Sequence, residues 1–291
     1  MVKLSGVFTA IVTPFKEDQS IDYDALKNLI ESNLENKISG IVPCGTTGES
    51  PTLNYKEHDE LIKFVVKQVN GRVPVIAGTG SNCTKEAVEI SKKAEVDGVD
   101  AVLLVNPYYN KPTQEGLYLH FKAIADAVNI PCIVYNIQGR TGVNVDTKTL
   151  LRLINACKNI VAVKEASGDL EQIKEVIAKT PSDFAVLSGD DTIALDVVKF
   201  GGQGVVSVAS NVYPKEMVEM ISLALDGKMD EAQKAHENLS EIFRIEFIET
   251  NPIPIKYILS KQGKCNEIYR LPICKMNQEH KLEVDKVLSK M

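Results

Sequence analysis

Eight short apolar runs, each followed by a stretch with helical apolar spacing, constrain this chain more than any other feature. The runs are 7–12, 40–43, 73–77, 101–105, 131–135, 160–163, 185–187 and 204–207. Each has the length and β-branched richness of a strand buried on both faces. Between them, sets such as Leu26, Leu29, Ile30 and Leu34, or Leu117, Phe121, Ile124 and Ala125, fall on one face of a helix. Strand follows strand at roughly 20 to 32 residues, the spacing of repeated right-handed βα units. The economical closure of eight such units is an α/β fold, a (β/α)8 TIM barrel. A doubly wound open sheet is the rival, but it would carry a glycine fingerprint after its first strand. The run from Gly78 lacks the third glycine, and G-T-T-G-E-S from Gly45 lacks the phosphate-loop lysine.

Beyond residue 208 the strand signal stops. Met217, Val218, Ile221 and Leu225 mark one helix and 229–247 a longer one, a third follows the prolines of N-P-I-P-I-K-Y-I-L, and 279–288 is the last. Since one helix finishes a barrel, the expected organisation is a catalytic barrel over 1–225 and a C-terminal helical appendage over 226–291 packed on it, with no flexible linker between them.

Composition excludes several classes of function. The net charge of −6, with lysine and arginine spread evenly, disfavours a nucleic-acid surface. No apolar run approaches the ~18 residues needed to span a bilayer, and no export signal opens the chain, so no membrane partner is expected. Six cysteines without a C-x-x-C pair suit reduced core thiols and a cytoplasmic location, and the four histidines show no metal-ligand spacing.

In a barrel, chemistry sits at the C-terminal ends of the strands. There the sixth run, I-V-A-V, ends in Lys164. Lysine is almost never fully buried without a partner, and a desolvated amine becomes a nucleophile toward carbonyls. The plain alternative is that Lys164 pairs with Glu165. The same filter selects Thr46 and Thr47, Tyr108 and Tyr109, Tyr135 and Arg140, Gly189 with Asp190 and Asp191, and Ser207. Together they suit a keto acid: lysine attacks the ketone, tyrosine moves protons, and small hydroxyls with loop amides hold a carboxylate. Arg140 can grip the carboxylate of a second substrate with its planar fork. Each has a plainer reading: Thr46 and Thr47 as a helix cap, Tyr108 and Tyr109 as interface packing, Arg140 as surface charge, Asp190 and Asp191 as N-cap and first-turn residues.

Five segments, G-T-T-G-E-S (45–50), N-P-Y-Y-N-K-P (106–112), Y-N-I-Q-G-R-T-G (135–142), V-K-E-A-S-G-D (163–169) and L-S-G-D-D (187–191), closely resemble the dihydrodipicolinate synthase family. The resemblance implies a Schiff-base lyase that condenses pyruvate with L-aspartate 4-semialdehyde, the first committed step toward diaminopimelate and lysine. By resemblance, Lys164 forms the pyruvate imine, so no separate cofactor is needed, and Tyr135, Thr46 and Tyr109 are the proton relay. The family's counterpart of Tyr109 enters the site from a neighbouring subunit, implying a homo-oligomer, most commonly a tetramer built as a dimer of dimers. Thr47 and Val206 would sit at the pyruvate carboxylate, Arg140 at the semialdehyde carboxylate, and the Gly189 carbonyl would face the site. Ser50, His58, Asn82, Glu86 and Tyr108 match the family's lysine-feedback site, whereas Tyr55 stands where inhibitable members carry histidine and Pro51 replaces a small residue. The alternative is N-acetylneuraminate lyase or a 2-keto-3-deoxy-sugar-acid aldolase, which use the same lysine imine but usually lack R-T-G after the tyrosine strand.

Overall fold

The computed structural model describes residues 2–291. Its strands are β1 (Gly6–Ala10), β2 (Gly40–Val42), β3 (Ile76–Gly78), β4 (Ala101–Val105), β5 (Cys132–Asn136), β6 (Ile160–Glu165), β7 (Ala185–Ser188) and β8 (Gly204–Ser207). All pair in parallel in the order β2-β1-β8-β7-β6-β5-β4-β3. A parallel bridge between Ile41 and Val75 joins the two ends, so the sheet closes into the expected barrel.

Alternation along the strands sorts their residues into two cores. Phe8, Val42, Ile76, Leu103, Ile133, Ala162, Leu187 and Val206 pack together inside the barrel. Val7, Val102, Val134, Val163, Val186 and Val205 face outward and meet the helices. Those helices are α1 (Tyr23–Glu35), α2 (Tyr55–Val69), α3 (Thr84–Val96), α4 (Gln114–Ala125), α5 (Gln138–Thr141), α6 (Thr147–Ala156), α7 (Leu170–Lys179) and α8 (Ala194–Lys199). Five of them begin at a side-chain cap on their own first turn: Asp22, Asn54, Thr113, Asp146 and Asp169. The four-residue α5 follows β5 directly. It ends at Gly142, whose φ of +76° is left-handed, and carries Arg140 in its single turn.

After β8 come α9 (Pro214–Leu225), α10 (Met229–Ile245), α11 (Ile253–Lys261) and α12 (Gln278–Leu288). α11 is buried along almost its whole length, Lys256 included. Among the described residues no helix is long and apolar enough to cross a membrane. The six cysteines are unpaired; Cys44, Cys132 and Cys157 are buried, but Cys83 and Cys274 are exposed, so the expectation of core thiols holds for only part of the set.

Candidate active site

Period-two alternation on β6 sends neighbouring residues in opposite directions. Ala162 faces the barrel interior, so Lys164 does too, and Glu165 turns toward the helices. The Lys164–Glu165 pair is therefore absent. Glu165 instead accepts from Asn136 Nδ2 and the Ser167 amide, and burial pushes its carboxyl above the ordinary range. Lys164 is 6% exposed, and no acidic group among the described residues pairs with it. Its Nζ lies 4.1 Å from the centre of the Tyr135 ring, which arrives from β5 at the adjacent register position. An ammonium over an aromatic face is held by the ring quadrupole.

Gly189 forms the opposite wall. Its amide donates to the Glu165 carbonyl at 2.7 Å. A Cβ there would stand 2.9 Å from Lys164 Cε and 2.7 Å from Ala166 Cβ, so the lysine stem occupies the space that a side chain would need. Val206 lies inside the barrel at 2% exposure.

Thr46 and Thr47 follow β2, but they do not cap the next helix. Asn54 caps α2, with Glu57 completing the reciprocal pair. The Thr46 carbonyl accepts from the Glu49 amide, and the buried Thr47 hydroxyl accepts from Asn251 Nδ2 at 2.9 Å. Arg140 donates to the Asn251 carbonyl at 3.3 Å. Asn251 thus ties the two expected carboxylate-binding groups together.

A second link runs beneath the same loop. Glu49 Oε1 meets Lys256 Nζ at 2.6 Å with both side chains fully buried. Lys256 also donates to the carbonyls of Thr13 and Ile268. Glu49 Oε2 accepts from the Arg270 amide, and the Arg270 guanidinium clamps Glu57 and the Thr52 carbonyl. None of Asn251, Glu49, Lys256 or Arg270 was singled out from sequence. The signal was present for Lys256, a lysine inside the apolar I-P-I-K-Y-I-L, the same anomaly that marks Lys164.

Asp190 and Asp191 do not cap α8. Asp190 accepts from Thr192 in a local turn, and Asp191 is buried against the amides of Val208 and Ala209. Tyr109 is 90% exposed at φ +74°, so within one chain it packs on nothing. A cleft of about 580 Å³ runs from Thr46, Tyr135 and Arg140 past Ser50, Pro51, Tyr55, His58, Glu86 and Tyr108. In it, His58 bonds the Gly78 carbonyl at 2.9 Å, and burial lowers its basicity. The Tyr55 hydroxyl meets Glu86, and Asn82 bonds the Tyr108 carbonyl at 3.2 Å.

The sequence model of the dihydrodipicolinate synthetase family matches residues 3–291. The chain belongs to this family. The 4-hydroxy-tetrahydrodipicolinate synthase of Endomicrobium trichonymphae is 49% identical to it, over 98% of this chain and 97% of that protein. The crystal structure of dihydrodipicolinate synthase from Aquifex aeolicus superposes with a TM-score of 0.97 at 46% identity, covering 99% of this chain and 98% of that one. The chloride-inhibited dihydrodipicolinate synthase of Acinetobacter baumannii, solved in complex with pyruvate, is similar at 41% identity and a TM-score of 0.96, covering 99% and 98%. Family membership accounts for the barrel and for the three helices beyond it alike.

Proposed function

We propose that this member of the dihydrodipicolinate synthetase family condenses pyruvate with L-aspartate 4-semialdehyde to 4-hydroxy-tetrahydrodipicolinate through an imine on Lys164. The observation that carries it is a buried lysine amine, free of any anionic partner among the described residues, seated over Tyr135 at the barrel mouth. The amine adds to the ketone of pyruvate, and loss of water leaves the imine as an electron sink, so no separate cofactor is needed. A proton leaves the adjacent methyl. The resulting enamine carbon attacks the aldehyde, whose oxygen takes a proton from the relay. The product amine then closes onto the imine carbon and releases Lys164.

Tyr135, Thr46 and Tyr109 form the relay in this scheme, Thr47 and Val206 hold the pyruvate carboxylate, Gly189 presents its carbonyl, and Arg140 takes the semialdehyde carboxylate. The exposure of Tyr109 supports a relay completed by a second copy of the chain, hence a homodimer and its pairing into a tetramer. On this reading the barrel of 1–225 carries the chemistry, the appendage of 226–291 closes the site through Asn251, and unpaired thiols fit the cytoplasm.

Borohydride added with pyruvate should fix the three-carbon unit on Lys164, and Lys164→Ala should abolish the adduct. An unmodified wild-type chain refutes the imine. Turnover with aspartate semialdehyde should exceed that with N-acetylmannosamine; the reverse preference would assign the lyase reading instead.

A further inference from the structure

Where the chain leaves β7 and β8, two acids meet in the interior. Asp191, two residues past Gly189, is 1% exposed. Its Oδ2 accepts from the amides of Val208 at 2.7 Å and Ala209 at 2.9 Å, and the Ser207 hydroxyl lies beside it. Asp191 therefore fixes the turn that follows Val206. Glu246, which ends α10, is fully buried and lies in hydrogen-bonding contact with Asp191. Neither oxygen of Glu246 has a donor, and neither has Asp191 Oδ1.

The charges acting on Glu246 are those of Asp191 and Asp190, both negative. The neighbouring bases are engaged elsewhere. Arg244 pairs with Glu241 and with Glu283 of α12, and His280 with Glu249. From α8, Asp196 and Lys199 act on His236 of α10. Two carboxyl groups in contact in dry surroundings cannot both be ionised, and one proton between them supplies the donor that the orphaned oxygens lack. Asp191 already accepts two amide hydrogens, which favour its charged form, while Glu246 accepts none. The proton therefore resides on Glu246.

We propose that Glu246, as the neutral acid, donates a hydrogen bond to Asp191 and through it positions the turn at Val206–Ala209 against Gly189, tying the pyruvate subsite to the C-terminal helices. Glu246 is a positioning residue: it touches no substrate. The assignment of that subsite rests on the function proposed above. Burial first, then Asp191 and Asp190, raise Glu246 well above the ordinary carboxyl range. An acid raised in the folded state contributes fully below its unfolded value of about 4.5 and loses that contribution as pH rises through the folded value. Above that point two like charges drive the turn from Gly189.

Two measurements test this on the intact protein. Isotope-edited infrared spectroscopy of the wild type at pH 7 should show a protonated carboxyl band that disappears in Glu246→Gln. Gln is neutral and keeps a donor for Asp191, so its KM for pyruvate should stay within about twofold of wild type at neutral pH. Above the titration of Glu246, wild-type KM for pyruvate should rise about tenfold per pH unit relative to the variant. Absence of the band from the wild type, or superimposable KM profiles for wild type and Glu246→Gln, overturns the proposal. Borohydride trapping at pH 7 reports the imine independently, so failure here is distinguishable from failure of the proposed reaction.

Discussion

Replacing Glu49 with Gln tests whether the ion pair beneath the loop of residues 45–50 holds that loop in place. The three hydrogens of the Lys256 ammonium are all used, by Glu49 Oε1 at 2.6 Å, Ile268 O at 2.6 Å and Thr13 O at 3.1 Å. The rings of Phe15 and Tyr269 cover it at 4.4 and 5.1 Å. Water has no access to replace a lost partner. Removing one member of such a pair leaves an uncompensated buried charge and costs about 3–5 kcal/mol. Gln keeps the shape and one acceptor, so Glu49→Gln belongs at the lower end, about 3 kcal/mol. Lys256→Met strands the Glu49 carboxylate with a single amide donor and belongs at the upper end, about 5 kcal/mol. With an unfolding entropy of roughly 2.1 cal/mol/K per residue over 291 residues, 3 kcal/mol corresponds to a Tm lower by about 5 °C. The double variant carries no buried charge, so its loss should fall well below the sum, with a coupling of at least about 2 kcal/mol. Urea unfolding of the four proteins measures all of this. A Glu49→Gln loss under about 1 kcal/mol, or strict additivity in the cycle, refutes the reasoning.

Gly189→Ala should place a methyl against Lys164 Cε and lower kcat on the order of 10²-fold through misplacement of the amine, with little change in Tm. Steady-state kinetics beside a melting curve decide this, and unchanged kcat counts against the fit. Asn251→Ala removes the hydrogen bond to Thr47 and should lower kcat/KM for pyruvate about fivefold, the equivalent of roughly 1 kcal/mol, while the KM for semialdehyde changes little. Burial lowers His120 to about 4, so the unfolded chain takes up its proton first as pH falls below about 6.5. Stability should decline by about 3 kcal/mol between pH 6.5 and 4 on this account, and His120→Gln should flatten that slope in urea titrations.

Barrel and helices were legible because the strands are short continuous apolar runs, as burial on both faces requires, and the helices carry an apolar period of 3.6. Lys164 was legible for the opposite reason, since a charge at the end of I-V-A-V breaks the pattern. Asp191 was misread because its partners, the amides of Val208 and Ala209, become neighbours only when β7 and β8 pair. Asn251 and Lys256 were missed because their value lies in contacts with Thr47 and Glu49, 204 and 207 residues away along the chain. Nothing local marks an asparagine before a proline as a brace for a distant threonine.

That separation has a consequence for synthesis. Residues 45–50 leave the ribosome long before 251–256, so the loop they form waits with Thr47 unbraced and Glu49 unpaired while six further strands are laid down. The nascent barrel can close without the rim around Thr47 being set. Both partners arrive only with about the last seventh of the chain, and a chain arrested earlier carries Lys164 with an unbraced rim above it.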